Sequence, residues 1–198
     1  QARAPWPSIP EGDPASLERI TPSAPGNSPD NWVRSPLPVA PAVFASTPGS
    51  RNSAWSENLP PRFVEIAPVA PVVSPGQEVF VGARLESDAP LRSVDLIYQS
   101  AYPGLLQPET VVHMESTTPG AYAATIRGER QGQLVRFWLR ATDQRGAVRQ
   151  WPARTDLRPA QTYFVTTNPD TGLTEFAVTD SQFMVLREKF RAWLASKQ

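Results

Sequence analysis

The stretch LVRFWLRATDQRGAVRQW, residues 134–151, decides the fold. Its first half alternates without a break: Val135, Phe137, Leu139 and Ala141 fall on one side, Arg136, Trp138, Arg140 and Thr142 on the other. Successive side chains of an extended backbone point to opposite faces, so this pattern is a strand with one buried face. Asp143-Gln144-Arg145-Gly146 then carries turn chemistry and AVRQW resumes the extended run, which makes the whole a hairpin.

The same period continues upstream. EVFVGARL places Val79, Val81, Ala83 and Leu85 together, and SVDLIY does so with Val94, Leu96 and Tyr98. ETVVHMES alternates less cleanly, offering Val112 and Met114 to one face. After the turn Thr118-Pro119-Gly120, AYAATIRG aligns Tyr122, Ala124 and Ile126. RFVEIAP, residues 62–68, supplies a first strand, and QTYFVTT, residues 161–167, a last one. Seven or eight short strands over residues 61–167 fit an Ig-like or fibronectin-type antiparallel β-sandwich, so the fold class is mainly β.

Outside that module the character changes. The chain has 198 residues, 40% of them hydrophobic, enough for one full domain and part of another. Its 23 prolines are incompatible with a helical protein and concentrate before residue 75. Residues 1–60 therefore read as a Pro-rich, largely irregular segment, with two short candidate strands in ASLERI (15–20) and NWVRS (31–35). Two strands enclose no core, so these segments pack on the neighbouring domain, on missing chain, or not at all. Residues 168–198 read as a linker and one amphipathic helix. Thr179 and Gln182 are spaced as a capping box, and Phe183, Leu186, Phe190, Trp193 and Leu194 face away from Arg187, Glu188 and Lys189. That helix either docks on the sandwich or opens a further domain.

Nineteen basic residues balance nineteen acidic ones, which leaves no field to gather nucleic acid or an anionic membrane surface. The arginines are spread through every segment and read as a compositional bias, not a binding patch. No apolar run approaches the roughly 20 residues of a membrane span. The absence of Cys removes disulfides and thiolate metal sites. Opening on Gln1, the sequence reads as a fragment of a longer protein.

Reactive groups are sparse. His113 is the sole histidine, set within a candidate strand, and it reads as a surface or edge-strand residue. No Gly-x-Ser-x-Gly elbow supplies a nucleophile for it. Glu65, Glu78, Glu86, Asp88, Asp95, Glu109 and Glu115 are scattered over strands and turns as solvated-face residues are. Asp143 reads as a turn residue bonded to backbone amides, since calcium needs many more oxygens than one carboxylate brings. We therefore expect no catalytic residues, no metal ligands, no cofactor and no enzyme. Trp138 and Trp151 are the candidate ligand contacts, because flat aromatic surfaces hold sugar rings in many β-sandwich modules; a covering linker or C-terminal helix is the preferred explanation of an outward Trp138.

Two stretches carry a family resemblance. Residues 6–53 contain ASLER, a proline-rich loop, Asn31-Trp32, Thr47-Pro48-Gly49 and Asn52 in an order that resembles the C-terminal half of a bacterial lamin-tail domain. Residues 61–166, through VSPGQEVFVGARL, VDLIYQS, GAYAATI and LVRFWLRATDQRGA, resemble the β-sandwich that follows lamin-tail domains in large exported bacterial proteins. Some of those proteins also carry a spore-coat protein H-type kinase domain, whose motifs do not occur in these residues. The resemblance implies a non-catalytic structural or interaction module of a multidomain protein, extracellular or at the cell surface. Its partners would be neighbouring domains of the same polypeptide and protein or polysaccharide surface ligands. The alternative is a carbohydrate-binding accessory domain of a secreted enzyme.

Overall fold

The computed structural model describes residues 6, 7, 9, 15–36, 47, 49–102, 105–156 and 158–167. The expected C-terminal helix lies outside them. An N-terminal ribbon pairs β1 (Leu17–Arg19) with β2 (Trp32–Arg34) in antiparallel fashion, so both short candidate strands form and each is the other's partner.

The sandwich follows. Its strands are β3 (Arg62–Ile66), β4 (Val72–Val73), β5 (Val79–Glu86), β6 (Leu91–Tyr102) and β7 (Leu105–Leu106). Then come β8 (Thr110–His113), β9 (Glu115–Thr118), β10 (Ala121–Ile126), β11 (Leu134–Asp143), β12 (Val148–Trp151) and β13 (Gln161–Val165). One sheet has the order β3-β5-β10-β9. The other runs β4-β13-β11-β6-β7, with β8 also paired to β6 and β12 to β11. All pairs are antiparallel except β4 with β13. The chain is therefore a mainly β, antiparallel sandwich, as the period-two pattern predicts.

The two inner faces meet in a continuous dry core. Val79, Val81, Ala83 and Leu85 of β5 and Val135, Phe137, Leu139 and Ala141 of β11 are all buried, as are Val94, Leu96 and Tyr98 of β6. Arg136, Trp138 and Thr142 are half-buried and Arg140 is exposed, so the assignment of faces along residues 134–143 holds.

Three features depart from the sequence reading. ETVVHMES is two strands: β8 belongs to the larger sheet and β9 to the smaller, and the chain changes sheet at Met114. Met114 is buried there, its N–H donating to the Val94 carbonyl at 2.8 Å. AVRQW and QTYFVTT are not separate neighbours either, because Trp151 pairs with Leu139 and Gln161 with Phe137 of the same strand. They lie end to end along the same side of β11, interrupted by residues 152–160, where Pro152 lacks the N–H that would continue the ladder. Lastly, Ile97 lies on the outer face of β6, yet it is only 2% exposed between its cross-strand neighbours Trp138 and Val111.

The β11–β12 turn is built by Asp143, whose carboxylate accepts the Ala147 N–H at 2.8 Å while Gly146 takes φ +86°. Gly128 has a different constraint. A Cβ there would sit 2.2 Å from the Gly76 carbonyl oxygen, and the Gly76 N–H donates to the Glu129 carbonyl at 2.9 Å.

Phe137→Ala is expected to cost about 3–5 kcal/mol in urea unfolding, a large part of the roughly 5–15 kcal/mol of a whole domain. Trp138→Ala should cost much less; equal losses would refute the assignment of faces. Gly128→Ala should cost more than Gly132→Ala. The latter meets no atom within 4 Å and adds only the left-handed backbone penalty of about 1–2 kcal/mol.

Candidate functional site

Two stacked sheets bury their facing sides but leave a seam wherever two edge strands run alongside each other. Here β3 and β12 flank such a seam, and the N-terminal ribbon lies across it. The loop from β1 to β2 is held by Asn31, which is fully buried. Its Oδ1 accepts the Thr21 N–H at 2.9 Å, and its Nδ2 donates to the carbonyls of Thr21 at 2.9 Å and Ala24 at 3.1 Å. Trp32 Nε1 donates to the Gly26 carbonyl at 2.8 Å, and Trp6 packs on the Trp32 ring with centroids 6.5 Å apart. Asn52 Nδ2 ties the following segment to the Arg19 carbonyl at 2.9 Å. The motif residues Asn31, Trp32 and Asn52 thus hold backbone in place.

The short 3-10 turn Pro29–Asn31 presents Asp30 to the seam. The Asp30 carbonyl accepts from Arg149 Nη2 of β12 at 2.7 Å, and its carboxylate lies 3.2 Å from Arg62 Nη1 of β3. Arg149 Nε also donates to the Pro61 carbonyl at 3.2 Å. Arg34 of β2, only 3% exposed, reaches the interrupting loop and donates from Nη1 to the Thr155 carbonyl at 2.7 Å. These bonds latch the ribbon to both sheet edges.

Charges in the seam feel this arrangement. Desolvation lowers the Arg149 pKa from its ordinary value, opposed only by attraction to Asp30. Arg62 shifts the other way, raised by its hydrogen bond to Glu86 and by Asp30 beside it. Burial pushes the Asp156 carboxyl up, against the Ala153 N–H and Arg34, which favour its charged form.

Between ribbon and sandwich a cleft of about 240 Å³ opens, with Asp30, Trp32, Arg34, Arg62, Arg149 and Trp151 in its walls. Three of the arginines that look scattered along the chain, Arg34, Arg62 and Arg149, meet here. No strand alternation announces this: an inward position on β12 would be expected to carry an apolar residue, and Arg149, opposite buried Ala141, does not.

Of the residues singled out from the sequence, Trp138 and Trp151 occupy neighbouring strands but opposite faces. Trp151 sits across from inward Leu139 and packs on the core, while Trp138 points outward with the Arg136 guanidinium 5.9 Å from its ring. They make no joint platform. His113 is exposed on the outer face, its Nδ1 3.3 Å from Asp95 Oδ1. Asp95 Oδ2 in turn meets Ser93 Oγ at 3.2 Å and Arg140 Nη2 at 3.5 Å. Glu65, Glu78, Glu86, Asp88, Glu109 and Glu115 are exposed. Among the described residues no group of three or more His, Cys, Asp or Glu is arranged to hold a metal ion, and no helix is long and apolar enough to cross a membrane.

Arg149→Met keeps the aliphatic stem and removes both latch bonds. It should cost about 1–3 kcal/mol and speed limited proteolysis between residues 15 and 36, whereas Arg140→Met on the exposed outer face should stay within about 0.5 kcal/mol of the parent. Unchanged cleavage in Arg149→Met would remove the latch from the account. No model of a known protein family matches the chain, and no curated protein matches it.

Proposed function

We propose that the chain is a non-catalytic structural and interaction module of a multidomain exported or cell-surface bacterial protein. In this reading a lamin-tail-like segment leads into an Ig-like sandwich. One observation supports it: Arg34, Arg62 and Arg149 bond residues across the boundary between ribbon and sandwich and tie the two segments together. A spacer that sets the distance between neighbouring domains would need such ties between its parts. The pairing β3-β5-β10-β9 against β13-β11-β6-β8 supports the Ig-like part, since immunoglobulin-type sandwiches divide their strands in this way. The partners proposed are adjoining domains of the same polypeptide and surface ligands, with no nucleic acid among them, because the chain carries no net charge.

Carbohydrate binding is the second reading. It is favoured by Trp138, a half-buried outward indole beside Arg136, whose Nε donates to Gln99 Oε1 at 2.8 Å. Titration with neutral oligosaccharides of cellulose, xylan and chitin, followed by tryptophan emission, separates the two. The module reading expects no saturable response and one cooperative thermal transition for ribbon and sandwich together. A saturable response lost in Trp138→Ala would replace it with the second reading.

A further inference from the structure

We propose that an apolar row on the outer face of the larger sheet is the docking surface for this chain's own C-terminal segment, residues 179–194, which lie outside the described ones. The inference stands apart from the spacer reading. Register assembles the row. The inward side chains of β11 begin at Val135, so Leu134 points outward, and it is 40% exposed. Its cross-strand partners are Ala101 of β6 and Phe164 of β13. Ala101 also pairs with Leu106 of β7, itself 52% exposed, and Phe164 pairs with Val72 of β4, which precedes the buried Val73. Paired residues share a face, so Leu106, Ala101, Leu134, Phe164 and Val72 form one line across five strands. At the roughly 4.8 Å spacing of strands the line is about 19 Å long. The next outward row is polar, with Arg136 Nε donating to Gln99 Oε1 at 2.8 Å, and it bounds the apolar one.

Length and tethering choose the occupant. The sequence of residues 179–194 sets Phe183, Leu186, Phe190, Trp193 and Leu194 on one side of a helical repeat. Sixteen residues at 1.5 Å each make about 24 Å, which matches the row. Covering the row with that side removes apolar area from water on both partners. The chain also sets out from the row itself. Phe164 belongs to it and β13 ends at Val165. From there residues 168–178 span up to about 36 Å when extended, enough to lead back across the face. A short tether keeps the segment at a roughly millimolar effective concentration, an advantage that a second copy lacks. The exposed Val64 and Phe80 of the smaller sheet lie on the far side of the sandwich, away from the strand that the segment follows.

The test uses the full chain, which has no cysteine of its own to take up a label. A nitroxide is attached either at Thr162→Cys, an exposed outward position beside the row, or at Thr125→Cys, exposed on the outer face of the smaller sheet. Broadening of the amide signals of residues 183–194 is then read in a proton–nitrogen spectrum. The label at position 162 is expected to broaden them and the label at position 125 to leave them sharp. Broadening from neither label, the mark of a segment that opens a further domain, would overturn the proposal. So would equal broadening from both, or broadening of unlabelled copies mixed with labelled ones, which would assign the row to a second copy. Leu134→Glu combined with Leu106→Glu should abolish the effect of the label at position 162, and its persistence would remove the row as the seat. If that variant does not fold, the two labels on the otherwise unaltered chain still decide.

Discussion

A two-sheet sandwich cannot close its own sides, and the structure turns on how one of them is closed. Along the seam between β3 and β12 the inward positions of an edge strand meet neither the opposite sheet nor bulk water. Arg149 occupies such a position, opposite buried Ala141. A guanidinium there needs partners for its donors, and two of them go to the carbonyls of Asp30 and Pro61. The dependence runs both ways. A ribbon of two three-residue strands is too small to stand alone, so the sandwich supports it while it covers the seam.

This division explains what could be read from the sequence. β5 and β11 are buried strictly on alternate residues, so their period translates into faces directly. Residues 110–118 obey no single period, because a chain that leaves one sheet for the other meets the same core from the opposite side, which reverses the inward direction. Met114 is the pivot, and on either side of it the alternation is reckoned against a different sheet. The break at Pro152 is similar: composition marks the end of AVRQW, but only pairing reveals that QTYFV resumes on the same side of β11.

The candidate site was hidden for a reason of register. Whether Trp138 and Trp151 share a face depends on parity across the β11–β12 hairpin, and Leu139 facing Trp151 places the two indoles on opposite sides. Residues 34, 62 and 149 are far apart in sequence and meet only through topology. The short motifs around Asn31, Trp32 and Asn52 were visible as text, and their meaning is local: amides and an indole that satisfy loop carbonyls and hold a turn against the seam.

Asp30 shows how little chain is needed to tie the two sheets together. Its carboxylate engages Arg62 on the edge of one sheet, and its carbonyl engages Arg149 on the edge of the other. The two halves differ in strength. The Arg62 side chain is 45% exposed and its pairing is screened by water and salt, so it contributes little. The Arg149 bond lies in a desolvated seam, where a charged donor left without its acceptors carries the full penalty of its burial. The hold of the ribbon on the sandwich therefore rests on a backbone carbonyl more than on the visible ion pair. A substitution at position 30 that preserved the turn would disturb it less than the loss of the arginine opposite.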